Sequence, residues 1–287
     1  MKLTLLTPVV SLLILIGCGN EPEVKSPSVP EPEPREPRVL NLEEVISRYD
    51  NGQVKSVRIY PDSWEKGTFE RITYYENGQV ESSGHFVNDL SEGICRKYNQ
   101  DGVKTAEWTE VAGLMEDTLR YWHDNGKLKE VSIYRDGDKY GEERSYDAMG
   151  RLVSKGEYKA DTMVGVWTFY NGSNYQQYTF VSGRREGSYK EKHVSPEAVI
   201  FVEGQYRNDV ETGLWTAYDD GGTFYRTFQM ANGAKNGEDI TYYGDRKTVR
   251  VRTNMLNDKQ HGKVQYYDNT GALILEEEYQ NGVLITQ

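Results

Sequence analysis

Cysteine, histidine and basic charge are all scarce in this 287-residue chain. The two cysteines are Cys18 and Cys95, so modification of Cys18 leaves no partner for an intramolecular disulfide. The four histidines, His85, His123, His193 and His261, stand far apart, and no Cys/His pair has zinc-ligand spacing. No metal or cofactor is expected. The chain also lacks a phosphate-binding loop, a nucleophile elbow and an HExxH motif, so no catalytic residues are expected either. A net charge of −11 disfavours nucleic acid and anionic lipid as partners. No stretch of the repeats places apolar residues at helical spacing, and 28 glycines would weaken any helix.

What is present is a repeat. A glycine is followed five positions on by an aromatic residue in Gly93/Tyr98, Gly141/Tyr146, Gly165/Tyr170, Gly213/Tyr218, Gly237/Tyr242 and Gly262/Tyr267. Degenerate copies at Asp117/Trp122 and Gly187/Lys192 fall in register, and the leading positions step by 22 to 26 residues, mostly 24. Such a period marks a repeat architecture. A second signal follows each first one, a glycine with an apolar residue at +2 and an aromatic or Met at +8: Gly78/Val80/Phe86, Gly126/Leu128/Tyr134, Gly150/Leu152/Tyr158, Gly222/Phe224/Met230 and Gly271/Leu273/Tyr279. Both offsets are even, so in a plain extended strand these side chains share one face.

Turn-forming runs such as Glu76-Asn77-Gly78 and Asp124-Asn125-Gly126 separate the two halves. Asn-Gly accepts the positive φ of tight hairpin turns, so each unit reads as one β-hairpin. The expected fold is all-β: an elongated antiparallel β-meander of about nine hairpin repeats over residues 41–287, forming a single-layer twisted sheet. About 18 strands at roughly 4.8 Å spacing would make it on the order of 85 Å long. The unit is clearest in Gly165-Val166-Trp167-Thr168-Phe169-Tyr170 and Gly213-Leu214-Trp215-Thr216-Ala217-Tyr218. It resembles the bacterial variant of the MORN repeat, whose chains are often labelled YwqK-family antitoxins. The resemblance runs over roughly residues 45–287, with Glu143 and Asp239 standing where the pattern has Trp.

The N-terminus reads as an address. Lys2 precedes an apolar run over residues 3–16, too short for the roughly 20 residues of a spanning helix. Leu15-Ile16-Gly17-Cys18 looks like a bacterial lipoprotein cleavage box, which makes 1–17 a signal peptide and Cys18 the acylated residue. Residues 18–40 then form a Pro/Glu-rich linker; its Glu21–Arg38 stretch holds six of the nine prolines and favours extended polyproline II. These features predict a cell-envelope protein held to the membrane through Cys18. Gly19 is not the aspartate that retains lipoproteins at the inner membrane, which favours the outer one where two membranes exist.

The remaining signals point to structure more than chemistry. Cys95 sits at the Trp position of its unit and reads as a packed thiol; Glu276-Glu277-Glu278 would alternate between faces as a solvated charged edge. Asn171-Gly172-Ser173 reads as a hairpin turn, and the 22 tyrosines as cross-strand ladders. One stretch breaks the rhythm: His193-Val194-Ser195-Pro196 replaces the Asn-Gly turn, followed by the apolar Ala198–Val202. His193, Ser195, Pro196 and Phe201 are the candidate partner contacts, since loops on a rigid scaffold commonly carry recognition. The expected function is non-catalytic, a binding or scaffold module for a protein or glycan. The alternatives are an antitoxin or immunity protein, which the family label favours, and an enzyme acting on cell-wall glycan, which would need a convergent acid pair in a cleft.

Overall fold

Every repeat glycine-to-aromatic segment forms a strand in the computed structural model, which describes residues 42–61 and 67–286. The signal peptide 1–17, the linker 18–40 and the acylation site Cys18 lie outside the described residues. The described chain forms one open sheet of 23 strands with no helix. Strands adjacent in sequence pair antiparallel, from Leu42–Arg48 beside Val54–Tyr60 to Leu273–Gln280 beside Val283–Thr286, except within the two interrupted strands named next. The strand count exceeds two per repeat partly because two strands are interrupted, Leu90–Ser91 from Gly93–Tyr98 and Asp138–Lys139 from Gly141–Tyr146. This is the expected meander of hairpins.

The connections follow two designs, one on each margin. On one margin two-residue turns such as Asn208-Asp209 and Asn257-Asp258 have both residues at positive φ, between 48° and 67°. That is the type I′ geometry whose twist matches the strands it joins. The residue before the next leading position then accepts the backbone N–H of the following turn: Glu92 from Ala112, Glu116 from Asp136, and Glu186 from Asn208, each at 2.8 Å. On the other margin, turns such as Tyr75–Gly78 and His123–Gly126 close by a glycine N–H donating to the carbonyl three residues back. Their first side chain reaches the next repeat. The hydroxyls of Tyr49, Tyr75 and Tyr243 donate to the carbonyls of Tyr74, Tyr98 and Tyr267 at 2.7–2.8 Å, and His123 Nε2–H donates to that of Tyr146 at 2.9 Å. Each staple satisfies a backbone group one repeat, about 24 residues, away.

The core is one row of side chains. The positions two after each leading residue, Cys95, Leu119, Glu143, Trp167, Tyr189, Trp215, Asp239 and Val264, are all buried. The more conspicuous aromatics at +5, among them Tyr98, Tyr146, Tyr170 and Tyr218, are only half-buried and face the opposite side of the sheet. The expectation that the apolar +2 and aromatic +8 residues of the second signal share a face is corrected. A β-bulge follows the +2 residue in all five cases: Tyr146 pairs with Leu152 but Ser145 with Ser154, and likewise at Val80, Leu128, Phe224 and Leu273. The extra residue reverses the alternation. Phe224 accordingly meets Tyr242 on one face (centroids 5.2 Å apart), whereas Met230 packs on the Tyr189–Tyr206–Trp215 cluster of the other.

Candidate binding surface

The face that carries the buried row changes character along the sheet. In its middle, rings follow one another across strands: Tyr158 on Trp167 at 5.1 Å, Tyr178 on Tyr189 at 5.0 Å, Tyr189 on Trp215 at 5.1 Å and Trp215 on Phe228 at 6.0 Å. The ladder expected from the tyrosines therefore exists, and its axis is the +2 row. Burial pushes the Tyr189 and Tyr206 hydroxyls far above the usual phenol range, and their bonds to Glu191 and Glu211 add to that shift. Both are neutral donors across the physiological range.

Flanking this band are the two positions where a carboxylate replaces Trp. Asp239 accepts two bonds from Arg226, at 2.8 and 2.6 Å, and one from Lys235 at 3.1 Å. Burial would raise its pKa, but the Arg226 guanidinium and Lys235 ammonium outweigh that and hold it below the usual range. Glu143 is bonded by Lys139 and by the Ser132 hydroxyl, and Lys139 also reaches Glu130 at 3.2 Å. Burial lowers the Lys139 pKa, yet the hydrogen bond and charge of Glu143 prevail and raise it. In both units a lysine four residues before the carboxylate supplies a counter-charge where the indole would have supplied apolar surface.

Near the first repeats the row narrows to Cys95. The thiol is buried, as expected, with Ser91 Oγ at 3.1 Å, and burial raises its pKa. Beside it lies an open cleft of about 260 Å³.

The rhythm break lies on the strands that carry the aromatic band. Gly165–Asn171 pairs with Asn174–Phe180 without a bulge, closed by the two-residue turn Gly172-Ser173, as the Asn-Gly-Ser run suggested. Gly187–Val194 then pairs with Val199–Tyr206 without interruption, so the flanking units stay in register. These two irregular hairpins border a groove of about 340 Å³, lined by Phe169, Gln176, Glu191 and His193 together with Asn171 and Asn174.

The four predicted contacts do not form one patch. His193 is exposed at the groove, opposite Ile200 in the register. Phe201 pairs with Lys192 and Tyr218, which places it on the other face. Pro196 is exposed at the turn, whereas Ser195 holds that turn together: its N–H donates to the Ala198 carbonyl at 2.9 Å and its Oγ accepts the Ala198 N–H at 3.2 Å. The neighbouring groove residues Glu191 and Asn174 were not anticipated, because only the pairing of three strands brings them beside His193.

Other sequence signals resolve as structure. Glu276 binds Lys263 at 2.6 Å on one face while Glu277 accepts from Tyr279 at 3.0 Å on the other. Among the described residues no three His, Cys, Asp or Glu side chains gather where a metal ion could be held, and no helix is long and apolar enough to cross a membrane.

A family model described as MORN repeat variant matches this chain at two places, residues 70–88 and 260–281. Both matches cover a second-half strand or hairpin of the meander, Val80–Val87 in one and Leu273–Gln280 in the other. No curated protein matches the chain. Among solved structures, one described as the crystal structure of TcdB2-TccC3-TEV is 12% identical with a TM-score of 0.19. That match covers 82% of this chain but only 14% of the other, so it bears on neither fold nor function.

Proposed function

We propose that this protein is a lipid-anchored repeat protein of the bacterial cell envelope, acting as a non-catalytic binding or scaffold module for a protein or glycan partner. The supporting observation is the groove of about 340 Å³ at the two irregular hairpins, where exposed His193 lies beside Phe169 and Glu191 on the ring-bearing face. Sheet repeats offer long shallow surfaces for recognition, and an aromatic centre with a polar rim is the usual composition of an interface. The anchor at Cys18 and the proline-rich tether would hold that surface away from the bilayer.

The test is capture from envelope extracts by the full-length chain. His193→Glu combined with Glu197→Lys alters charge at the groove and turn while leaving the Ser195 turn bonds in place. Loss of a captured partner in that variant, with an unchanged circular dichroism spectrum, is the expected result. A partner held equally well by both forms would move recognition elsewhere on the sheet.

A further inference from the structure

The cleft beside Cys95 has the outline of a missing indole. Around Trp167 the repeat sets three neighbours: Gly156 on the preceding strand, where a Cβ would lie 2.0 Å from Trp167 Cδ2; Tyr158, at 5.1 Å between centroids; and Tyr178, its cross-strand partner. Around Trp215 the corresponding residues are Gly204, Tyr206 and Phe228. The unit of Cys95 keeps all three places as Gly84, Phe86 and Trp108. Only the central ring is absent, because a thiol stands where the indole would.

The space left is the cleft of about 260 Å³, walled by those three residues with Arg71 and Glu110. An apolar cavity of about 150 Å³ accepts benzene, so this one has room for a bicyclic ring. Its two charged walls differ. Glu110 accepts the Trp108 Nε1–H at 2.8 Å. Arg71 stands directly across from Gly84 in the register and is exposed, and its side chain makes no hydrogen bond or ion pair among the described residues.

We propose that this cleft binds a small planar aromatic carboxylate, its ring in the vacant indole place between Phe86 and Trp108 and its carboxylate on Arg71. Ring stacking on the two aromatic walls and a charge-assisted bond to the guanidinium are the two contributions. The proposal is independent of the partner groove, which lies some four repeats further along the chain.

The test titrates the full-length protein with indole-3-acetate and with indole, followed by calorimetry. The expected result is saturable one-to-one binding of both, tighter for indole-3-acetate. Cys95→Trp restores the repeat's own ring; it should weaken both probes by more than about tenfold and raise the melting temperature by about 2–4 °C. Arg71→Gln should weaken indole-3-acetate by roughly tenfold and leave indole unchanged. If Cys95→Trp fails to fold, Gly84→Val, which intrudes on the cleft floor in a strand, replaces it, with circular dichroism as the control. Absence of saturable binding, or binding that survives a folded cleft-filling variant, overturns the site. Equal binding of both probes, indifferent to Arg71→Gln, overturns the carboxylate assignment.

Discussion

Trp215 packs directly on the backbone of Gly204: a Cβ added to that glycine would lie 2.2 Å from Trp215 Cδ2. The pair joins adjacent strands at a bulge, since Glu203 pairs with Thr216 and Gln205 with Thr212. Indole and glycine are thus two parts of one packing unit, repeated at Trp167 and Gly156.

Gly204→Ala should therefore destabilise the sheet far more than an ordinary strand Gly→Ala change, which gains intrinsic propensity. Overpacking of this kind costs about 1–3 kcal/mol. Gly84→Ala is the control, because its Cβ would come no nearer than 3.0 Å to the Cys95 thiol and 3.6 Å to Phe86 Cε2. Urea unfolding of both variants checks the difference; equal midpoints would show that the indole moves aside freely.

Acid should unpick the carboxylate sites. The folded pKa of Asp239 is held below its unfolded value, so its contribution is present above about pH 4 and is lost as pH falls through the folded pKa. Asp239→Asn should cost about 1.5–3 kcal/mol at pH 7, nearer the lower figure because Arg226 is partly exposed. The gap between wild type and variant in urea midpoint should narrow as pH falls below about 4 and close once pH has passed the folded pKa. A gap that stays constant with pH would mean that shape, and not charge, matters at this position.

The inter-repeat staples should be individually modest. Tyr75→Phe removes one hydroxyl that donates to the Tyr98 carbonyl at 2.8 Å and should cost about 1 kcal/mol. Hydrogen exchange should then quicken at the turns on that margin of the sheet first, because repeat proteins lose stability locally.

Anchoring is tested at the other end of the chain. Cys18→Ala should shift the protein from the membrane to the soluble fraction and abolish incorporation of labelled palmitate. Membrane retention without acyl label would point to an uncleaved signal anchor.

Much of this molecule is written in local pattern. The period of about 24 residues, the Asn-Gly and Asn-Asp turns and the alternation within each strand need only neighbours in sequence, so the hairpin meander could be read directly. Glu143 and Asp239 also stood out, because they depart from a repeated letter. The break at His193 was visible for the same reason; that His193 and Phe201 face opposite sides of the sheet follows only from the strand register, which sets Phe201 beside Lys192.

What the tertiary structure alone decided is which side chains meet. A bulge inserts one residue and reverses the face of everything beyond it, and it is seen in the pairing of two strands, where two residues of one stand opposite one of the other. Hence the prominent tyrosines at +5 are half-buried while the inconspicuous +2 positions form the core. The cleft at Cys95 arises the same way. In the sequence it is a single substitution, Cys for Trp; only when three strands bring Gly84, Phe86 and Trp108 around that thiol does it become a space. Sequence periodicity sets the frame because backbone pairing is local and repetitive, and the voids within it are set by side-chain volumes summed across strands.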